Sequence, residues 1–95
     1  MALVLTMTEG EDFYIRDEQF FLSRIVSTKD FILTRARDRN QIRVTEGRAM
    51  ELAENVRVSV GARGQLGLAR VAIEAPRSVI ILRGANYRKA PPHHD

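Results

Sequence analysis

The chain has no cysteine and no tryptophan. Disulfide frameworks, cysteine zinc sites and thiol nucleophiles are therefore excluded together. Lysine is nearly absent too: of fifteen basic residues only Lys29 and Lys89 are lysines, and the rest are arginine. Long apolar runs are missing, and the most apolar stretch, around Val79-Ile80-Ile81-Leu82, is far too short to span a bilayer. The opening Met1-Ala2-Leu3-Val4-Leu5-Thr6 lacks a basic region and turns acidic at once, which argues against a secretory signal. These absences lead us to expect a small cytoplasmic protein.

What is present fits one compact domain. The 95 residues are 44% hydrophobic and 28% charged, ordinary for a globule and too apolar for disorder. Net charge is +3, but it is unevenly spread. Residues 1–30 carry three bases against six acids, whereas residues 31–95 carry twelve against six. The planar donors of arginine suit phosphates and base edges, so nucleic acid is a lead. Arginines alternating on the wet face of a sheet would give the same composition.

Periodicity points to strands. Val56-Arg57-Val58-Ser59-Val60 and Ala69-Arg70-Val71-Ala72-Ile73-Glu74 alternate apolar and polar residues, and Ala75-Pro76 ends the second run. Ser78–Arg83 is β-branched and apolar, the pattern of a strand covered on both faces. Shorter candidates are Leu3–Thr6, Asp12–Ile15, Phe20–Leu22, Phe31–Thr34 and Gln41–Val44. Turn signals separate them at Glu9-Gly10, Arg16-Asp17-Glu18, Asp38-Arg39-Asn40, Glu46-Gly47 and Gly61-Ala62-Arg63-Gly64. The expectation is a mainly all-β protein, a small antiparallel β-sandwich or barrel of about eight to nine short strands. Residues 46–54 leave helix and strand open: Arg48–Glu54 are strong helix formers, with Thr45 as a cap and Asn55 as a left-handed stop. A single domain over residues 1–88 and a frayed, proline-rich tail over 89–95 complete the outline.

No catalytic constellation is visible. His93 and His94 both lie in the tail and read as solvated residues rather than metal ligands, so no metal, no cofactor and no enzyme activity are expected. The glycine-rich Gly61–Gly67 has no helix after it and reads as a hairpin connection, not a nucleotide loop.

The segment Arg70-Val-Ala-Ile-Glu-Ala-Pro-Arg-Ser-Val-Ile-Ile-Leu-Arg83 resembles the carbon storage regulator (CsrA/RsmA) family pattern R-I-G-V-x-A-P-x-x-V-x-V-x-R. Ala2-Leu-Val-Leu-Thr-Met-Thr-Glu-Gly-Glu11, followed by Ile15-Arg-Asp-Glu18, is similar to that family's opening L-I-L-T-R-R-x-G-E and I-G-D-x. The two motifs lie farther apart than in one family subunit. An imperfect repeat, 2–37 and 40–88, is our preferred account: Thr8-Glu9-Gly10 recurs as Thr45-Glu46-Gly47, placing Ile15 over Leu52, Asp17 over Glu54 and Phe21 over Val58. Copy one would then lack its last strand and terminal helix. The alternatives are an insertion near 17–55, or a register that starts the family pattern at Phe31–Arg35 and leaves 1–30 as an extension.

The resemblance implies an intertwined dimer, here a pseudo-dimeric monomer or a homodimer. It also implies an RNA-binding post-transcriptional regulator of translation, recognising GGA motifs in hairpin loops of mRNA leaders or regulatory small RNAs. The implied site joins first-strand positions Leu5, Thr6 and Met7 to last-strand positions Val79, Ile81, Leu82 and Arg83, with Ala75 and Pro76 shaping the approach. Met7 stands where the family has an arginine, so a cationic contact is expected to be missing. Leu82-Arg83-Gly84-Ala85 replaces the family's His-Arg-Glu-Glu, and Gly84 disfavours the helix that normally follows. Arg35, Arg37 and Arg43, with Arg39, would supply secondary RNA contacts if they shared one strand face. The rival expectation is a protein-interaction module that pairs with a CsrA subunit or binds its protein antagonist.

Overall fold

Alternating sequences here do become strands, and they distribute over two antiparallel sheets in a computed structural model that describes residues 2–89. In chain order these are β1 (Ala2–Met7), β2 (Asp12–Ile15), β3 (Glu18–Ser27), β4 (Asp30–Arg35) and β5 (Gln41–Thr45). Next come β6 (Met50–Ala53), β7 (Val56–Val60), β8 (Ala69–Glu74), β9 (Ile81–Arg83) and a closing helix α1 (Gly84–Lys89). The all-β expectation holds. No helix among the described residues is long and apolar enough to cross a membrane.

Several local expectations change. The choice left open over residues 46–54 falls to strand at Met50–Ala53: β6 folds back on β7 through Glu54-Asn55, and the left-handed Asn55 (φ 63°) serves that hairpin turn. Pairing to a neighbour thus overrides the helix propensity of Arg48–Glu54. The last strand is shorter than Ser78–Arg83 and lies at a sheet edge, hydrogen-bonded to β2 alone, with Ile80 largely exposed. Helix α1 forms in spite of Gly84, for a reason given below. Of the predicted tail, Lys89 ends α1 and 90–95 lie outside the described residues.

The strand order carries the architecture. One sheet runs β1-β8-β7-β6 and the other β5-β4-β3-β2-β9. Strands β2-β3-β4 and β6-β7-β8 are consecutive hairpins, but β1 and β5 are exchanged: each joins the hairpins of the opposite half. The registers match strand by strand. Leu5 lies opposite Val71 as Ile42 lies opposite Leu33, and Met7 opposite Ala69 as Val44 opposite Phe31. Likewise Phe20 faces Arg35 as Val58 faces Ile73, and Leu22 faces Leu33 as Val60 faces Val71. The first-strand pairs, such as Leu5 and Ile42, are 37 residues apart; later pairs, such as Leu33 and Val71, are 38 apart. The extra residue is a β-bulge in β6 between Glu51 and Ala53. Val58 therefore corresponds to Phe20, not Phe21. A one-residue slip changes the face, and Phe21 is indeed exposed where Val58 is fully buried.

Between the sheets lies one core of inward residues from eight of the nine strands, including Leu5, Met7, Phe13, Phe20, Phe31 and Val71. The rings of Phe13 and Phe20 stack at 5.5 Å across the β2–β3 pair.

Candidate nucleic-acid interface

The two strands named from sequence meet in space while belonging to different sheets. Strand β1 is an edge, paired only with β8; β9 is an edge, paired only with β2. Across the gap, Arg83 Nη1 donates a hydrogen bond to the Thr6 carbonyl at 2.9 Å. The two strand edges are thereby linked through a side chain rather than by strand pairing, and unpaired edge backbone groups are suited to reading the exposed edges of unpaired bases.

The predicted residues divide by burial. Leu5, Met7, Ala75 and Val79 are core residues and offer a ligand only backbone groups. Met7 is 1% exposed, so the position where the resembling pattern has an arginine is a core position here, and no solvent-facing charge is missing from the rim. Thr6, Ile81, Leu82 and Arg83 are half-buried at the edges, and Pro76 is exposed in the loop before β9. Arg83 lines a small cleft of about 220 Å³ together with Gly10, Glu11, Asp12, Ala85 and Arg88. No carboxylate pairs with Arg83 among the described residues, leaving guanidinium donors beyond the one spent on Thr6.

Its neighbour Asp12 is already engaged. Arg88 Nη1 and Nη2 donate to the Asp12 carboxylate at 2.8 and 2.9 Å, and Gln19 Nε2 donates at 2.7 Å. The hydrogen bonds from Arg88 hold the Asp12 carboxyl below its ordinary pKa, against the opposing effect of burial. This clamp fastens α1 to β2. Tyr87 adds to it by stacking on Tyr14 with ring centroids 3.7 Å apart, and its hydroxyl donates to Asp17 at 3.3 Å. It also explains Gly84: a Cβ at that position would fall inside the Asp12 carboxyl group, so a six-residue helix starts at the one residue type that fits.

The arginine track is not one strand face. Arg35 ends β4, Arg37 and Arg39 lie in the turn and Arg43 is on β5. Three of the four are paired: Arg35 with Asp38 at 3.7 Å, Arg37 with Glu18 at 2.9 Å and Arg43 with Asp30 at 2.5 Å. The Arg43 hydrogen bonds lower the Asp30 pKa and that ion pair raises the pKa of Arg43. Alternation could not reveal these partners, because Asp30 and Glu18 sit on neighbouring strands.

Two nearby cations were not singled out from sequence. Arg70 lies directly across from Thr6 on β8 and faces outward, and its Nε is buried without a hydrogen-bond partner. Arg88 holds the clamp. The alternation of Ala69–Glu74 was the available signal for Arg70; nothing local marked Arg88. Among the described residues no three His, Asp or Glu side chains converge as a metal site would require. Compared with models of known protein families, with curated proteins and with solved structures, the chain has no match.

Proposed function

We propose that this chain is an RNA-binding post-transcriptional regulator similar to the CsrA family, reading a GGA motif in a single-stranded hairpin loop along the edge where β1 and β9 meet. The observation that carries the reading is the Arg83–Thr6 hydrogen bond: two segments at opposite ends of the chain, singled out by family-like motifs, are linked across the gap between the two sheets. Backbone groups of β1 and β9 read the bases, and Arg83 contributes a cation that stacks on a base or meets a phosphate. Targets of this kind, mRNA leaders and small RNAs, place the work in the cytoplasm.

The matched registers of the two halves support the fused-repeat account over an insertion or an extension. On that account one chain imitates an intertwined dimer, is monomeric in solution, and holds one site instead of two. The partner of β5 that would complete a second site has no counterpart among the described strands.

A titration of a fluorescent GGA-loop hairpin and its scrambled twin, at several salt concentrations, tests the proposal. Wild type should prefer GGA, and Arg83→Ala should cost roughly 1–3 kcal/mol of that affinity. Arg37→Ala, on the far hairpin, should leave the preference intact. Equal affinity for both hairpins would refute sequence-specific reading.

A further inference from the structure

Matched registers allow the outward faces of the two sheets to be compared position by position. On the five-stranded sheet Phe21 faces Thr34, with Gln19 before it; on the other sheet Ser59 faces Ala72, with Arg57 before it. The second set shows that this place in the fold accepts a small polar residue. Phe21 nevertheless sets a ring there with 36% of its surface in water. A lone exposed hydrophobe is ordinary on a protein surface, so the surroundings of this one decide its meaning.

Phe21 lines an open hollow of about 450 Å³ with Gln19, Ser23, Thr34, Ala36 and Arg39. The Ser23 and Thr34 hydroxyls are hydrogen-bonded to each other, and Gln19 Nε2 is spent on Asp12. Hydroxyl lone pairs and the Gln19 carbonyl oxygen remain to meet a ligand's polar edge. Arg39 stands in the left-handed region (φ 61°), where glycine or asparagine is more usual. Its N–H donates to the Arg35 carbonyl at 2.8 Å, and Asn40 N donates to Asp38 Oδ1 at 3.1 Å, so the turn holds it there. Neither Arg39 nor Arg24, which lies on the same face opposite Ile32, has an ion pair among the described residues.

We propose that this hollow takes an unpaired base of the bound RNA, stacked on Phe21, with its edge met by Gln19, Ser23 and Thr34 and its phosphate by Arg39. The inference rests on the RNA reading above and extends it beyond the GGA motif. Base stacking on an aromatic ring beside a cation is a sequence-tolerant way to hold a single strand. Charge favours that occupant. Four other surface hollows each have a glutamate or aspartate in the wall, and this one has none. Acids on adjoining elements already have partners: Asp12 in the Arg88 clamp, Glu18 with Arg37 and Asp38 with Arg35. Glu9 and Glu11 accept from the main-chain amides of Ile25 and Thr8. The place is also continuous with the first site. Phe21 lies across from Asp12, which lines the Arg83 cleft, and β9, β2 and β3 are successive strands. Two strand spacings, about 10 Å, separate the hollow from β9.

The probes are a GGA hairpin with a minimal loop, two hairpins with uridines added before or after the motif, and unstructured oligouridine. Wild type should bind one of the longer loops more tightly than the minimal one. Phe21→Ser, which copies Ser59, should lose that gain, weakening long-loop binding by roughly 5- to 100-fold, the worth of one base stacked on an aromatic ring. It should remain folded, with its minimal-loop affinity unchanged. Phe21→Tyr keeps the ring and should keep the gain. Arg39→Ala should lower the salt dependence of long-loop binding by about one phosphate contact. Longer loops that gain nothing, or a gain that survives Phe21→Ser, overturn this inference and leave an intact GGA preference standing. Oligouridine binding that needs Phe21, without GGA preference, upholds the stacking site and refutes reading along β1 and β9. No binding of any RNA overturns both. A dimer by light scattering that Phe21→Ser dissociates overturns the inference in favour of contact between copies.

Discussion

Replacing Gly84 by alanine should destabilise this protein, although the same change inside an ordinary helix is favourable by up to about 1 kcal/mol. The new methyl group would occupy the space of the Asp12 carboxyl. Asp12 must then swing away from Arg88 and Gln19, losing charged hydrogen bonds worth about 1.5–3 kcal/mol in total. Set against the propensity gain, the net loss is about 1–2 kcal/mol, or a melting temperature lower by about 5–15 °C for a domain of this size. A double-mutant cycle with Asp12→Ala isolates the cause. In the Asp12→Ala background the carboxylate is gone, so Gly84→Ala should become neutral or stabilising. Thermal melts of the four proteins, read by circular dichroism, provide the cycle. Equal destabilisation of both backgrounds would sink the steric account, and so would stabilisation of the wild type.

Met7→Arg, which would bring in the arginine of the CsrA-like pattern, should not improve RNA binding; it should lower stability by about 3 kcal/mol or more, since it forces a cation into a fully packed site. Chemical denaturation beside the hairpin titration checks this, and tighter GGA binding with unchanged stability would contradict the burial. The pH dependence follows from Asp12. Its folded pKa is depressed below the ordinary 3.8, so the unfolded chain binds the proton more readily and the clamp stabilises fully only above about pH 4. Acidification through the folded pKa should release α1, seen as a change in the near-ultraviolet signal of the Tyr14–Tyr87 stack. In Asp12→Asn that acid-dependent component should be absent.

The strands were legible because alternation reports burial directly. Val56–Val60 and Ala69–Glu74 form with the expected residues inside, and β1, β2, β4 and β5 start or end within two residues of their predicted limits. What composition left open or misjudged turns in each case on a partner that composition does not name. Arg48–Glu54 has helical composition, and only the hairpin with β7 makes part of it a strand. Gly84 looks like a helix breaker until Asp12 is placed against it. Arg35, Arg37 and Arg43 look like a cationic row until their acidic partners are located: Asp38 in the following turn, Glu18 on β3 and Asp30 on β4. The repeat was visible at Thr-Glu-Gly, but a single bulged residue after Glu51 moved the true correspondence from Phe21 to Phe20. For the candidate site, the resemblance points to β1 and β9 but not to which of their side chains face inward, and Met7 and Val79, unlike Thr6 and Arg83, are core residues.

The exchanged first strands also govern the order in which the molecule can assemble. The β2-β3-β4 meander is made of neighbours in sequence, and β5 joins it across a short turn, so this sheet can begin to form as soon as the first half of the chain exists. Strand β1 has no such option. Its partner, Ala69–Glu74, lies near the opposite end, and pairing Leu5 with Val71 closes a loop containing most of the protein. During synthesis Ala2–Met7 therefore waits, apolar and unpaired, until β8 has emerged. Such late, non-local closure slows folding and lengthens the exposure of an aggregation-prone segment. The acids Glu9, Glu11 and Asp12 that follow it place negative charge beside that waiting strand, where it discourages association between nascent chains.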